Sequence, residues 1–157
     1  MPPEKIDLDE FDLAVLAVVQ ENTSTPLRVI AERVNLSTAA VQRRVRRMEG
    51  AGVIKANIAV VDPTLVGKPI TIIAEVHAER AHIDELNAMK AHLSGPEIQQ
   101  CYYVTGEADF VLVLTVATME EYEALARRLF YENKNVKWFR TMVVMDRVKV
   151  GLSVPVI

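Results

Sequence analysis

Arginine side chains cluster in one short stretch of the chain, and this cluster is the strongest chemical signal in the sequence. From Arg28 to Lys55, seven basic residues stand against two acidic ones, a net charge of +5, although the whole 157-residue chain carries −3. Guanidinium groups bind phosphate by charge and guanine by paired hydrogen bonds. A basic island in an acidic chain therefore predicts a local nucleic-acid-binding surface.

Three predicted helices position these arginines. The first runs from an N-cap at Asp9 to a polar break at residues 21–24, and a short second helix follows. The third runs from a cap at Ser37 or Thr38 to Gly50. Two helices joined by a turn of a few residues form a helix-turn-helix, whose second helix reads the major groove of DNA.

The third helix has two distinct faces when residues are placed 100° apart around its axis. Val41, Val45 and Met48 form a stripe that faces the core. The opposite side carries arginine, glutamine and small residues, which suit close approach to base edges. A solvated basic face is the alternative, but the helix-turn-helix spacing favours DNA. The residues predicted to contact DNA are Arg28, Ser37, Thr38, Ala39, Gln42, Arg43, Arg46 and Arg47.

After Gly52 the chain changes to β-branched residues. The stretch Val53 to Val61 predicts an extended strand that ends at Asp62-Pro63 and acts as a hinge. Beyond it the pattern predicts the ferredoxin-like order βαββαβ. Its elements are strands at 70–78, 98–105, 110–117 and 136–150 and helices at 82–93 and 119–131. The predicted domains are 1–52, a linker at 53–68, and 69–157.

The predicted sheet is apolar on both faces. In the third strand, Phe110 and Leu112 alternate with Val111 and Val113, and the fourth strand shows the same pattern. Two helices cover only one face of such a sheet, so the other face needs a second cover. The simplest cover is the same sheet of another copy, which predicts an obligate homodimer.

Other kinds of site are not indicated. Cys101 is a single cysteine, and His77, His82 and His92 lack metal-ligand spacing. We expect no metal, no cofactor and no catalytic residues. The longest apolar run is too short for a membrane span, and the amino terminus lacks a signal-peptide layout, so we expect a cytoplasmic protein without membrane contact.

Several stretches, in order and spacing, resemble the Lrp/AsnC (feast/famine) family of transcriptional regulators. They are Leu8-Asp9-Glu10-Phe11-Asp12, Leu36-Ser37, Val41-Gln42-Arg43-Arg44-Val45, Gly52-Val53-Ile54, Asp62-Pro63 with Gly67, and Val104 to Phe110. The loop at 21–24 and the segment Val66-Gly67-Lys68 depart from the usual pattern. The resemblance implies an α+β fold, with a winged-type helix-turn-helix joined to a ferredoxin-like, ligand-sensing (RAM) domain.

The same resemblance implies an amino-acid effector at the loop between the second and third strands of the sensing domain. The residues implied are Val104, Thr105, Gly106, Glu107, Ala108 and Asp109, with Thr141 on the last strand. Main-chain N–H groups near Gly106 would receive the carboxylate, and Glu107 or Asp109 would meet the ammonium group. A plain hairpin turn is the alternative for these residues.

The function expected is a regulator that binds double-stranded DNA and whose DNA binding or assembly is modulated by an amino acid. We expect a homo-oligomer built from dimers, up to a tetramer or octamer. The alternative is an enzyme resembling sirohaem decarboxylases, which share the two-domain architecture. The outward arginines favour the regulator, since an enzyme of that kind needs histidines converging on a tetrapyrrole pocket instead.

Overall fold

The chain forms two compact units in the computed structural model, which describes residues 6–79 and 83–156. One unit contains residues 6–59 together with 149–156, and the other contains the described part of 60–148. The carboxyl-terminal segment therefore packs with the helix-turn-helix, whereas the predicted boundary at 69–157 assigned it to the sensing domain. Within the described ranges, no helix has the length and apolarity to span a membrane.

Three helices form the first unit. They are α1 (Glu10–Glu21), α2 (Leu27–Val34) and α3 (Thr38–Gly50). Asp9 caps α1 through a reciprocal pair of bonds with Asp12, and Ser37 caps α3 by accepting from the Ala40 N–H at 3.2 Å. Between α2 and α3, Asn35 adopts the left-handed conformation, with φ of 54°. This conformation ends α2, and the short turn between α2 and α3 confirms the predicted helix-turn-helix.

Apolar side chains from all three helices form the core of the first unit. Its fully or nearly fully buried members are Val15, Leu16, Val18, Ile30, Ala31, Val41 and Met48. Val156, from the carboxyl-terminal segment, packs against the same cluster. The Gln20 side chain makes two hydrogen bonds to the backbone of Val154. It donates to the carbonyl at 3.0 Å and accepts from the N–H at 2.7 Å.

The predicted strand from Val53 to Val61 is wrong for this protomer. The Val53 and Ile54 N–H groups both donate to the Met48 carbonyl, which closes the end of α3, and residues 55–61 pair with no strand in the described chain. No paired wing therefore follows α3 within residues 6–79. β-branched residues favour extended backbone, but a strand also requires a neighbour with which to hydrogen-bond.

The second unit is a four-stranded antiparallel sheet with helices. In chain order its elements are β1 (Ile70–Ala78), α4 (Ile83–His92), β2 (Ile98–Tyr103), β3 (Phe110–Val116), α5 (Met119–Ala126), a π-helical turn (Arg127–Tyr131) and β4 (Val136–Val143). The strands lie in the order β2-β3-β1-β4. This arrangement confirms the predicted ferredoxin-like topology.

One face of the sheet is buried beneath the helices. The strand residues in this core include Ile72, Ala74, Val76, Phe110, Leu112, Leu114 and Val116, and the helices add Met89, Tyr122, Ala126, Leu129 and Phe130. Thr118 caps α5 by accepting from the Glu121 N–H at 3.2 Å. The extra residue of the π-helical turn lets the consecutive side chains Leu129 and Phe130 both reach the core.

Strand β4 is shorter than predicted, ending at Val143 rather than Val150. Its partner β1 begins at Ile70, directly after Pro69, which has no N–H to donate to a ladder. A last bond from the Val144 N–H to the Thr71 carbonyl, 2.9 Å, closes the pairing. The chain then leaves the sheet and continues to the segment that packs with the first unit.

Candidate DNA interface and effector loop

The core stripe predicted for α3 is confirmed. Val41 and Met48 are fully buried, and Val45 packs against the same cluster. The side of the helix away from this stripe is open to solvent, and Ala39, Gln42, Arg43 and Arg46 are all exposed. Among residues 6–79 and 83–156, neither Arg43 nor Arg46 has an ion-pair partner. Both guanidinium groups are therefore available to a ligand.

The amino-terminal end of α3 is open to solvent. Ser37 and Thr38 are exposed, and the Ser37 hydroxyl oxygen accepts from the Ala40 N–H. The first backbone N–H groups of a helix carry partial positive charge and have no partner within the helix. Such an end can receive a DNA phosphate while the arginines farther along reach the bases.

The other two arginines of α3 point to α1. Arg44 bonds Asp9 at 2.8 Å and Asp12 at 2.7 Å, and Arg47 bonds the second carboxylate oxygen of Asp12. Asp12 is fully buried. Burial on its own raises the pKa of Asp12, but hydrogen bonds from Arg44, the Asp9 N–H and Arg47 outweigh burial and hold that pKa below its usual value.

Sequence reasoning missed this ionic cluster of Asp9, Asp12, Arg44 and Arg47, because it assigned Arg47 to DNA from helical spacing alone. The available signal was the pair of aspartates three residues apart at the start of α1, opposite two arginines three apart on α3. Arg28, also predicted to contact DNA, lies on α2, where it pairs with Glu32 at 2.6 Å. Both members of that pair are exposed, so the contact is weak and exchangeable.

The predicted effector loop joins β2 to β3. The Val104 N–H donates to the Asp109 carbonyl at 2.9 Å, which closes the turn, and Gly106 adopts φ of 120°. Thr105, Gly106 and Glu107 are exposed, whereas Ala108 is buried. The exposed tip therefore offers main-chain N–H groups and one carboxylate, the chemistry required for an amino acid.

Asp109 has a structural position in this loop. It is 7% exposed, its carboxylate accepts from the Ala78 N–H at 2.9 Å, and its own N–H donates to the Val76 carbonyl at 3.0 Å. These bonds fasten the loop to the end of β1. Of the two acidic groups considered for the ammonium, Glu107 is the one open to solvent.

Thr141 does not join the loop within one protomer. It lies on β4 opposite Ala74, which in turn lies opposite Leu112 on β3, so two strand spacings, about 10 Å, separate Thr141 from β3. Its hydroxyl is 2.5 Å from the hydroxyl of Tyr122 on α5. Burial raises the pKa of Tyr122, so this phenol stays protonated at neutral pH.

A groove of about 410 Å³ lies at the other end of the strands from this loop. Its lining includes Lys68, Glu97, Thr115 and Glu121, and an ion pair between Lys68 and Glu121 closes one side. The predicted effector residues do not line it. The groove is therefore separate from the loop chemistry described above.

The face of the sheet away from the helices carries large side chains that remain open. Trp138 is 42% exposed, Tyr102 50% and Met142 38%. His77 stacks on Trp138 with ring centroids 3.5 Å apart, and its Nε2 is buried without a hydrogen-bond partner. Glu75 pairs with Arg140 at 3.3 Å on this face. This face therefore combines large apolar side chains with His77 and the Glu75–Arg140 ion pair.

The two histidines that the structure describes, His77 and His92, do not converge on a pocket. His77 stacks on Trp138, His92 lies 3.1 Å from the Leu129 carbonyl through Nε2, and His82 lies outside the described residues. The part of the chain that the structure describes contains no group of three side chains placed to hold a metal ion.

Comparisons with known proteins agree with this architecture. Residues 8–49 match the AsnC-type helix-turn-helix domain, and residues 71–154 match the Lrp/AsnC ligand-binding domain. An uncharacterised HTH-type transcriptional regulator of Sinorhizobium fredii is 45% identical over 96% of this chain and 90% of its own length. The leucine-responsive regulatory protein of Haemophilus influenzae is 33% identical over 90% of this chain and 86% of its own.

Solved structures show the same relation. A transcriptional regulator of Neisseria meningitidis in complex with L-Met superposes with a TM-score of 0.88 at 26% identity, covering 95% of this chain and 97% of that one. An AsnC family regulator of Agrobacterium tumefaciens also gives 0.88 at 26% identity, covering 94% and 97%. With both of its domains matched in order, this chain belongs to the Lrp/AsnC family of helix-turn-helix transcriptional regulators.

Proposed function

We propose that this protein is a cytoplasmic, non-enzymatic regulator that binds double-stranded DNA as a dimer and responds to an amino acid. The observation that carries the proposal is the outer face of α3. Arg43 and Arg46 stand exposed and unpaired among the described residues, opposite the buried stripe of Val41 and Met48. This face meets the requirement for reading base edges in the major groove.

The open face of the sheet supports the dimer. An exposed surface that combines Trp138, Tyr102 and Met142 is costly in water, and a second copy of the same sheet covers it by two-fold symmetry. Dimers of a helix-turn-helix protein present two recognition helices to two half-sites.

The loop tip supports the amino-acid effector. A free amino acid needs donors for its carboxylate and an acceptor for its ammonium, and residues 105–107 offer exposed N–H groups beside the Glu107 carboxylate. The Neisseria relative was solved with L-Met, and the Haemophilus relative is named as leucine-responsive. Thr141 can contribute to the effector site only if the assembly brings it to the loop of another protomer.

The test of the DNA face is a binding measurement on a duplex selected by the parent protein. Arg43→Ala and Arg46→Ala are each expected to weaken binding by about 1–3 kcal/mol if the arginine contacts a base. Arg127→Ala is the matched control, because it removes an exposed arginine from the sensing unit. If both α3 variants bind as tightly as this control, the proposed interface is wrong.

A further inference from the structure

The buried carboxylate of Asp12 divides the arginines of α3 into two pairs. Arg44 and Arg47 bond its two oxygens, and Arg44 is also held by Asp9. Arg43 and Arg46 lie outside this cluster and are exposed, whereas Arg47, although 46% exposed, is held by its bond to Asp12. A helix with four arginines in five positions thus presents only two of them without a counter-charge from the described residues.

The Asp12 carboxylate is buried, unlike the members of an ordinary surface ion pair. Asp12 is fully buried, and its Oδ2 also accepts from the Asp9 N–H at 3.1 Å. The Arg44 side chain is only 19% exposed. Removing one partner of a buried ion pair leaves an uncompensated charge, so the cluster persists while the domain stays folded.

We propose that Asp12 is a specificity-determining residue of the DNA-binding unit, because it withdraws Arg44 and Arg47 from DNA phosphates. This inference rests on the proposed DNA interface of α3. Arginine contacts to phosphate raise affinity for every sequence, whereas contacts to bases raise it for one. By confining two of the four guanidinium groups, Asp12 lowers non-specific binding and leaves base reading to Arg43 and Arg46.

The same cluster fixes where the reading arginines point. Two arginines three residues apart on α3 are anchored to one carboxylate on α1, which restricts rotation of α3 about its own axis. Arg43 and Arg46 are then presented on the exposed side of α3, away from the buried stripe of Val41 and Met48. Asp12 acts here as a positioning residue and has no contact with DNA of its own.

The test compares Asp12→Asn with Glu10→Gln on the selected duplex and on a scrambled one, over a series of salt concentrations. Both variants remove one negative charge from α1, but Glu10 is exposed and has no ion-pair partner among the described residues. For Asp12→Asn we expect the plot of log K against log salt to steepen by about 0.9 for each arginine released. The ratio of selected to scrambled affinity is expected to fall several-fold.

A folded Asp12→Asn protein that matches Glu10→Gln in both salt slope and affinity ratio overturns the inference. If Asp12→Asn is unfolded at the assay temperature, Arg47→Ala takes its place, with Arg46→Ala beside it. We expect Arg47→Ala to leave the salt slope of the parent unchanged, because Arg47 contacts no phosphate, whereas Arg46→Ala lowers the ratio of selected to scrambled affinity. A salt slope that becomes shallower by about 0.9 in Arg47→Ala overturns the inference. Failure of the proposed function is distinct, because the parent itself then shows no preference for the selected duplex.

Discussion

Two acidic residues of the predicted effector loop differ in burial, and this difference indicates different roles for them. Asp109 and Glu107 carry the same charge two positions apart, yet Asp109 is buried in backbone hydrogen bonds and Glu107 is exposed. The resemblance of the sequence to a family predicted this loop as the effector site. It could not assign the two carboxylates, because burial depends on the neighbouring strand β1.

Asp109→Ala is expected to destabilise the protein by about 1–3 kcal/mol, because the Ala78 N–H loses its carboxylate acceptor at a buried site. Glu107→Gln should leave the melting temperature unchanged and weaken amino-acid binding. Thermal melting and calorimetry on both variants check this pair. A fully stable Asp109→Ala protein would contradict the structural role of that residue.

Gly106 is expected to tolerate no β-branched side chain. Its φ of 120° lies in a region that other residues rarely adopt, although no atom lies within 4 Å of the position that a Cβ would occupy. Backbone strain, rather than a clash within the protomer, is thus the reason that Gly106→Val should lose amino-acid affinity in calorimetry. Gly151→Val is the control, because that glycine has open space and no positive φ. Equal affinity in the two variants would place the effector elsewhere.

At the scale of elements, the sequence predicted best where local chemistry sets the boundary. The caps at Asp9, Ser37 and Thr118 are side-chain bonds to nearby backbone, so their sequence signals are sufficient. The end of β4 and the segment at 53–61 depend on whether a partner strand is present. The predictions for these two segments failed because β-branched composition does not show whether a partner strand is present.

The contact between α1 and α3 should depend on pH. The pKa of Asp12 is lowered in the folded protein, so its ion pairs stabilise above the ordinary value of 3.8 and are lost as pH falls through the lower, folded-state pKa. The stability gap between the parent and Asp12→Asn is therefore expected to be full at pH 7 and to shrink below about pH 4. Chemical denaturation across this range measures the gap, and a gap independent of pH would contradict the assignment.

At the scale of the whole molecule, the chain leaves the first unit after residue 59 and returns to it at residue 149. The predicted domains place residues 149–157 with the sensing domain, and the match to the ligand-binding domain extends to residue 154, but in the structure this segment packs with the first unit. Its contacts are the Gln20 side chain on the Val154 backbone and Val156 on the helical core. The sensing unit is thus joined covalently to the DNA-binding unit at both of its ends.

Gln20→Ala should loosen this return segment. Two hydrogen bonds of about 1 kcal/mol each are lost, although their exposure reduces the net effect. Faster amide hydrogen exchange at Val154, with α1 to α3 still protected, is the expected result. Gln42→Ala serves as a control that removes an exposed glutamine of the same unit without touching the segment. An unchanged exchange rate at Val154 would show that the Gln20 hydrogen bonds do not hold this segment in place.

Met142→Asp should prevent dimerisation, since it places an unpaired carboxylate on the open sheet face. Met119→Asp is a matched control. Met119 is similarly exposed, at 43% against 38% for Met142, but it lies in the first turn of α5, where a negative charge is tolerated. Light scattering at micromolar concentration should show a monomer for the first variant and a dimer for the second. A monomeric parent protein would contradict the dimer directly.

The central claim is that an amino acid controls the DNA affinity of this protein. It is tested by one measurement, the dissociation constant for the selected duplex with and without the amino acid that most raises the melting temperature. A ligand present at 100 times its dissociation constant adds about 2.7 kcal/mol of stability, so the melting screen identifies it readily. We expect that amino acid to shift the DNA dissociation constant by 5-fold or more, on the order of a typical allosteric coupling of 1–3 kcal/mol. Sequence-selective binding that is identical with and without every one of the twenty amino acids would contradict the account.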